Sequence, residues 1–123
     1  MGVTLYDEIG GAPVVRAVLD AFYSRVLAEA ALSRFFLGVD LERHKQMQAR
    51  FFAAALGGPD AYAGRRLADV HHRTRRRGLD AHAFDCFVRL FARVLIDRGM
   101  TDAQVAQWLA VLHKARTQVL GAD

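Results

Sequence analysis

The sequence has little of what frames a small secreted or membrane protein. Among its 123 residues there is one cysteine, Cys86, which excludes an intramolecular disulfide and with it a disulfide-framed fold. No uninterrupted apolar run approaches ~20 residues, the length that spans a bilayer. The N-terminus lacks the basic, apolar and cleavable regions of a signal peptide. We therefore expect a cytoplasmic protein with no membrane partner.

Motifs for zinc, nucleotides and nucleic acids are also lacking. The five histidines show neither CxxC nor HExxH spacing, and the carboxylates do not cluster, so a zinc site has little support. The glycine pairs Gly10-Gly11 and Gly57-Gly58 match no phosphate-binding fingerprint. The net charge is +4, and the basic run Arg73–Arg77 is typical of a solvated turn. We expect no nucleic-acid partner.

What the sequence does have is helical periodicity in a chain that is 53% hydrophobic. Pro13 can open a helix, Asp40 and Asp80 are suited to cap two more, Gly99 suits a helix end, and Thr101 or Asp102 starts the last one. Between these positions apolar residues recur every three or four residues, and no alternating strand pattern competes. The sequence predicts an all-α fold in one domain, residues 1–123.

Four polar side chains lie on faces that are otherwise apolar: Tyr23, His44, Gln48 and His71. His44 and Gln48 are four residues apart and so share one side of a helix. The simplest reading is structural: the pair bonds to each other or lies at the margin of the stripe, and His71 is a satisfied core histidine. The alternative is a cofactor pocket, since a few convergent polar groups among aromatic residues form such pockets inside helical bundles.

Several short motifs occur in a fixed order along the chain. Each is weak alone, but the ordered set with its separations resembles the truncated globins, most closely group I, the compact two-over-two haem proteins. The motifs are Leu5–Gly11 (LYDEIGG), Phe22-Tyr23, Phe35-Phe36, Phe51–Pro59 (FFAAALGGP), Tyr62, Gly64 and His71. The resemblance extends from about Leu5 to Val119. It implies a two-over-two helical sandwich around haem b.

The resemblance also implies roles for individual residues. His71 matches the proximal histidine that ligates haem iron, and Tyr23 matches the distal tyrosine whose hydroxyl bonds the iron-bound ligand. His44 and Gln48 match two distal positions of the haem-facing helix. Three phenylalanines match positions that pack against the porphyrin or line its pocket, namely Phe36, Phe51 and Phe52.

Two departures from the family pattern concern iron ligation. The segment after His71 is arginine-rich where relatives have a short glycine-containing connection, so His72 competes for the proximal role. We retain His71 because its spacing from Tyr62 fits and because it shares a helical face with Leu67. His44 stands where leucine is frequent, so it is a candidate sixth iron ligand in the gas-free protein.

A further departure concerns the haem propionates. A basic residue often expected near Met47 is missing, and Lys45, Arg43 or the run Arg73–Arg77 can substitute for it.

The expected function is reversible binding of O2, and of CO and NO, by a monomer with haem b. An enzymatic alternative is a haem-dependent NO dioxygenase or peroxidase, which needs a reductase as electron donor. A cofactor-free alternative is a helical interaction module that uses Arg73–Arg77 on an acidic partner. Colourless protein with salt-dependent polyanion binding would favour the last alternative.

Overall fold

The computed structural model describes residues 3–58 and 80–120, with side chains to residue 116. Every regular element in these two ranges is helical, which confirms the all-α prediction. None of the helices there is long and apolar enough to cross a membrane. The elements are α1 (Leu5–Ile9), α2 (Ala12–Leu27), α3 (Ala30–Ser33), a 3-10 helix (Arg34–Phe36), α4 (Leu41–Ala55), α5 (Ala81–Asp97) and α6 (Asp102–Leu120).

The helix starts follow the predicted capping residues. The Asp40 side chain accepts a hydrogen bond from the backbone N–H of Arg43 at 3.2 Å, and Asp80 accepts one from Ala83 at 2.9 Å. Thr101 caps α6, because its hydroxyl oxygen accepts from the Gln104 N–H at 3.1 Å. Periodicity does not predict α1, since five residues are too short for a stripe to repeat.

Helix α2 is shared by two halves of the described structure, because it packs against both α4 and α5, and α5 packs against α6. Six residues of its predicted apolar stripe are buried, whereas Val14 is half-buried and Leu27, at the end of the helix, is 51% exposed. The six are Val15, Val18, Leu19, Phe22, Tyr23 and Val26. The largest fully buried side chains come from α2, the 3-10 helix, α5 and α6: Trp108, Tyr23, Phe35, Leu19, Leu95, Val15, Val18, Val26 and Val94.

The glycine pair after α4 lets α1 approach closely. Gly57 has φ +92°, a conformation that side-chain-bearing residues rarely adopt. A Cβ on Gly58 would lie 2.7 Å from the carbonyl oxygen of Ala53 and 3.0 Å from the Tyr6 ring. The backbone N–H of Tyr6 donates to the Leu56 carbonyl at 3.0 Å. The pair therefore fixes the end of α4 against α1.

Candidate functional site

Helices α2 and α4 bring three of the predicted polar residues into direct contact. The Tyr23 hydroxyl donates to Gln48 Oε1 at 2.7 Å, and His44 Nε2 lies 3.1 Å from the same hydroxyl oxygen. A tyrosine hydroxyl carries one proton, so this arrangement assigns the donor role in the second bond to the His44 N–H. We call Tyr23, His44 and Gln48 the polar triad. The hydroxyl of Tyr23 is its centre.

The triad forms because each helix turns a polar tip inward at one point of an apolar stripe. Tyr23 is only 2% exposed and lies among the valines and leucines of α2. On α4, His44 is buried and Gln48 is half-buried one turn later. Inward-facing polar groups are costly unless they are hydrogen-bonded, by about 1–3 kcal/mol each. Their mutual bonding across the two helices meets that cost.

Burial keeps a proton on Tyr23. Burial raises the pKa of the Tyr23 hydroxyl well above its ordinary value of 10.0, and the hydrogen bond to Gln48 opposes that shift only in part. The phenol is therefore a neutral O–H donor throughout the physiological range. A buried donor of this kind is suited to a small ligand that carries partial negative charge.

Aromatic rings surround the triad. The Phe36 ring centroid lies 5.3 Å from that of Tyr23 and 5.7 Å from that of His44, both edge-on. Phe87 of α5 lies 6.0 Å from Phe36, and Phe22 lies 4.9 Å from Tyr23. The sequence did not identify Phe87 as a neighbour of the site. Its position depends on how α5 packs, which local periodicity does not reveal.

The other two predicted phenylalanines lie elsewhere on α4. Phe52 is 3% exposed and packs in the core, 5.7 Å from Phe91 and 5.5 Å from Trp108 between ring centroids. Phe51 is half-buried, and its ring lies 5.4 Å from that of Phe52. Phe36 is thus the predicted phenylalanine that the structure brings to the triad.

Four charged residues connect α2 and α4 at the protein surface, beside the triad. Arg16 donates to both carboxylate oxygens of Glu42, at 2.8 and 2.6 Å, and its Nε lies 2.9 Å from Asp20. Lys45 Nζ lies 3.1 Å from the same Asp20 oxygen. We call Arg16, Asp20, Glu42 and Lys45 the outer ion cluster. Sequence reasoning identified only Lys45, as a candidate contact for a haem propionate.

The cluster holds its carboxylates in the charged form. The hydrogen bond from Arg16 lowers the pKa of Glu42 below its ordinary value. Partial desolvation raises the pKa of Asp20, but the hydrogen bonds from Lys45 and Arg16 outweigh it and leave that pKa lowered. The hydrogen bonds to Glu42 and to Asp20 raise the pKa of Arg16.

The predicted iron-ligating side of the site lies outside the described residues. This applies to His71 and its competitor His72, to Tyr62 and Gly64, and to the basic run Arg73–Arg77. The described side supplies a phenol, an imidazole and an amide among aromatic rings. That donor set fits the gas-binding side of a haem pocket, because it offers hydrogen bonds to a bound gas within an apolar surrounding.

Comparison with known proteins gives the same identification. The family model for bacterial-like globins matches residues 4–120. The chain is 38% identical over 109 residues to the group 1 truncated haemoglobin GlbN of Mycolicibacterium paratuberculosis, covering 89% of this chain and 78% of the relative. It is 30% identical over 118 residues to a group 1 truncated haemoglobin of Tetrahymena pyriformis, covering 96% and 95%.

Two solved structures share the fold. The 2/2 haemoglobin from Synechococcus sp. PCC 7002, in a cyanomet form with covalently attached haem, superposes with a TM-score of 0.90 at 28% identity, covering 97% of this chain and 99% of that one. The ferric truncated haemoglobin of Tetrahymena pyriformis gives 0.84 at 29% identity, covering 96% and 98%. Globins hold haem and bind diatomic gases at it. The chain belongs to the bacterial-like globin family, as a group 1 truncated haemoglobin with the two-over-two fold.

Proposed function

We propose that this chain binds O2 reversibly, and also CO and NO, at a b-type haem ligated by His71, with the polar triad supplying hydrogen bonds to the gas. The observation that carries the proposal is the buried Tyr23 hydroxyl, held at 2.7 and 3.1 Å by Gln48 and His44. A buried cluster of this kind costs stability unless every member is bonded, and it gives a gas ligand a prearranged donor.

When bound, haem would supply an iron that takes up a diatomic gas, and a histidine of this chain would hold that iron. The role proposed for His71 is that histidine, with its second ring nitrogen donating to a backbone carbonyl or water so that the ring orientation is fixed. His72 is not proposed for this role, because on a helix it would be about 100° further round than His71 and would face away from the iron.

The Tyr23 proton has two uses in this proposal. In the described structure it is donated to Gln48 Oε1. With a gas bound, rotation about the C–O bond of Tyr23 would direct this proton to the gas, while the hydroxyl oxygen would still accept from the His44 N–H. That retained bond polarises the hydroxyl and strengthens its donation. Each such bond is worth roughly 1–2 kcal/mol, or about tenfold in gas affinity.

The aromatic residues exclude water from the triad. Phe36, edge-on to both Tyr23 and His44, closes one side of it, and Phe87 lies behind Phe36. Phe51 and Phe52 on α4 are proposed to line the pocket or an apolar route to it. A dry surrounding would strengthen hydrogen bonds from the triad to a gas and, with haem bound, would slow the loss of O2 as superoxide.

His44 is proposed as a sixth iron ligand when no gas is present. To reach the iron, its imidazole must give up the 3.1 Å bond between Nε2 and the Tyr23 hydroxyl. The gas-free protein should then be six-coordinate and low-spin, and His44→Leu should make it five-coordinate. An unchanged spectrum in that variant would show that His44 is not a ligand.

Contacts to the haem propionates are proposed for basic residues near the pocket. Lys45 is a candidate, although its ammonium pairs with Asp20. The alternatives are Arg43, an exposed residue two positions before Lys45, and the run Arg73–Arg77.

Absorption spectroscopy tests the proposal. The purified protein should be red with an intense Soret band, and reduction under CO should shift that band. His71→Ala should lose or scramble iron ligation, whereas His72→Ala is the matched control and should leave the spectrum unchanged. A colourless protein that does not take up added haem would contradict the proposal. Loss of ligation in His72→Ala but not in His71→Ala would show that His72, not His71, holds the iron.

A further inference from the structure

The polar triad and the outer ion cluster connect the same two helices. At about 100° per residue, Arg16, Asp20 and Tyr23 lie within roughly 60° of one another around α2. On α4, Glu42 and Lys45 flank His44 in the sequence, two residues before it and one after it. Any movement that takes the His44 backbone away from α2 therefore stretches the ion pairs as well.

The side chains of the outer ion cluster connect α2 to α4 through hydrogen-bonded ion pairs. Arg16 binds Glu42 through two nearly parallel hydrogen bonds, at 2.8 and 2.6 Å, the arrangement that gives arginine–carboxylate pairs their directionality. Asp20 accepts from Arg16 on its own helix and from Lys45 on α4. The four groups form one continuous network rather than isolated pairs.

We propose that the outer ion cluster is a positioning device for the gas-binding site, which holds α4 against α2 so that His44 and Tyr23 keep their hydrogen-bonding distance. The proposal rests on the proposed function, because the triad that the cluster holds in place is the proposed gas-binding site. Arg16, Asp20, Glu42 and Lys45 act through His44 and Tyr23 and do not touch the gas.

The cluster is exposed enough to respond to salt. The side chains of Arg16 and Glu42 are 34% and 59% exposed, and those of Lys45 and Asp20 are 18% and 50% exposed. Exposed charge pairs weaken as the Debye length falls from ~30 Å at about 0.01 M salt to ~3 Å at about 1 M. The two hydrogen bonds at the buried Tyr23 hydroxyl, to Gln48 and from His44, are not exposed charge pairs of this kind and have no such direct dependence.

The chain contains a matched control on the other side of α2. Arg25 is nine residues after Arg16, about 180° around the helix. Its guanidinium lies 2.6 Å from Asp97 of α5, with exposed fractions of 40% and 35%. This pair has the same chemistry and also fastens α2 to a neighbour, but it does not join α2 to α4.

Infrared spectroscopy of the CO-bound, reduced protein tests the proposal. The C–O stretching frequency falls when a donor bonds the gas, so conformers with the donor in place and with the donor withdrawn give separate bands. In Glu42→Gln we expect the ratio of withdrawn to donor-bonded bands to rise about two- to fivefold, the range that exposed ion pairs supply. High salt should raise the ratio in the unaltered protein, and Asp97→Asn should leave it unchanged.

A second variant separates the ion pair from other effects of Glu42. In an Arg16→Met background, Glu42→Gln should add no further change to the band ratio, because the partner is already absent. Bands unaffected by Glu42→Gln, an equal change in Asp97→Asn, or a full effect of Glu42→Gln in the Arg16→Met background would each overturn the positioning role. Absence of any CO band would instead contradict the proposed function.

Discussion

The two sides of helix α2 make different kinds of contact, although the residues that face them, Phe22 and Tyr23, are adjacent in the sequence. Tyr23 faces α4, where polar atoms meet: its hydroxyl, His44 Nε2 and Gln48 Oε1 are joined within 3.1 Å. Phe22 faces α5, where its ring lies 5.0 Å from that of Phe91. The α4 side places directional donors for a ligand, and the α5 side removes apolar surface from water.

The apolar core and the triad also differ in whether their buried polar atoms have hydrogen-bond partners. In the apolar core, Trp108 of α6 is fully buried against Phe52 of α4 and Phe91 of α5, and its Nε1 is the one buried side-chain polar atom in the described part of the chain without a hydrogen-bond partner. Burying a polar atom without a partner costs free energy. The apolar packing of the indole outweighs the loss of one N–H bond there, whereas at the triad polar groups are matched in pairs.

The largest expected effect breaks the apolar side. Phe91 is 3% exposed and contacts Phe22, Phe52 and Trp108. Phe91→Ala should lower the free energy of unfolding by ~3–5 kcal/mol, the cost of deleting a buried aromatic ring. Urea unfolding followed by far-UV circular dichroism measures it. A loss below about 1 kcal/mol would show that this side is not the main source of stability.

A smaller loss is expected on the polar side. Tyr23→Phe keeps the ring but leaves His44 Nε2 and Gln48 Oε1 without their shared partner, so the free energy of unfolding should fall by ~1–3 kcal/mol. The double variant Tyr23→Phe with Gln48→Leu should recover part of that loss, because it also removes the Gln48 amide whose Oε1 had lost its donor. A further loss in the double variant would contradict the pairing described for the triad.

The polar side of α2 should also make the stability of the protein depend on pH, through Tyr23. Because the pKa of Tyr23 is raised in the folded protein, its contribution is fully present below the ordinary tyrosine pKa of 10.0 and is lost as the pH rises from there towards the folded value. Above pH 10 the free energy of unfolding should therefore fall more steeply for the unaltered protein than for Tyr23→Phe. Equal slopes in urea titrations at several alkaline pH values would show that the hydroxyl is not protected by burial.

The smallest effect is expected at the unpartnered indole. Trp108→Phe reduces packing, which lowers stability, but it also removes the unpartnered N–H, which raises stability. Because the two changes oppose each other, the free energy of unfolding should change by no more than about 1 kcal/mol. The same urea titration measures the change. A loss comparable to that of Phe91→Ala would mean that the indole N–H has a partner in solution.

The sequence predicted helix boundaries well and helix contacts poorly, for a physical reason. Pro13, Asp40, Asp80 and Gly99 act locally, through backbone geometry and capping, so their effect can be read from neighbouring residues. Helix α1 was not predicted, because it is too short to show periodicity.

The candidate site shows the same limit. That Tyr23, His44 and Gln48 point inward follows from their spacing, and the structure brings all three together. The simplest sequence reading paired His44 with Gln48, but Tyr23 bonds both, which depends on how α2 crosses α4. The Arg16–Glu42 pair spans 26 residues of sequence and leaves no periodic signal. The roles of His71 and of Lys45 towards haem remain predictions.

Oxygen dissociation from the reduced protein is the most direct test of the triad's function. Stopped-flow measurements on the unaltered protein and on Tyr23→Phe compare the site with and without its central hydroxyl, while the ring volume stays nearly constant. Loss of a hydrogen bond worth roughly 1–2 kcal/mol should speed O2 release about tenfold. Identical release rates in the two proteins would show that Tyr23 does not hold the gas and would contradict the assignment of this side of α2 as the gas-binding side.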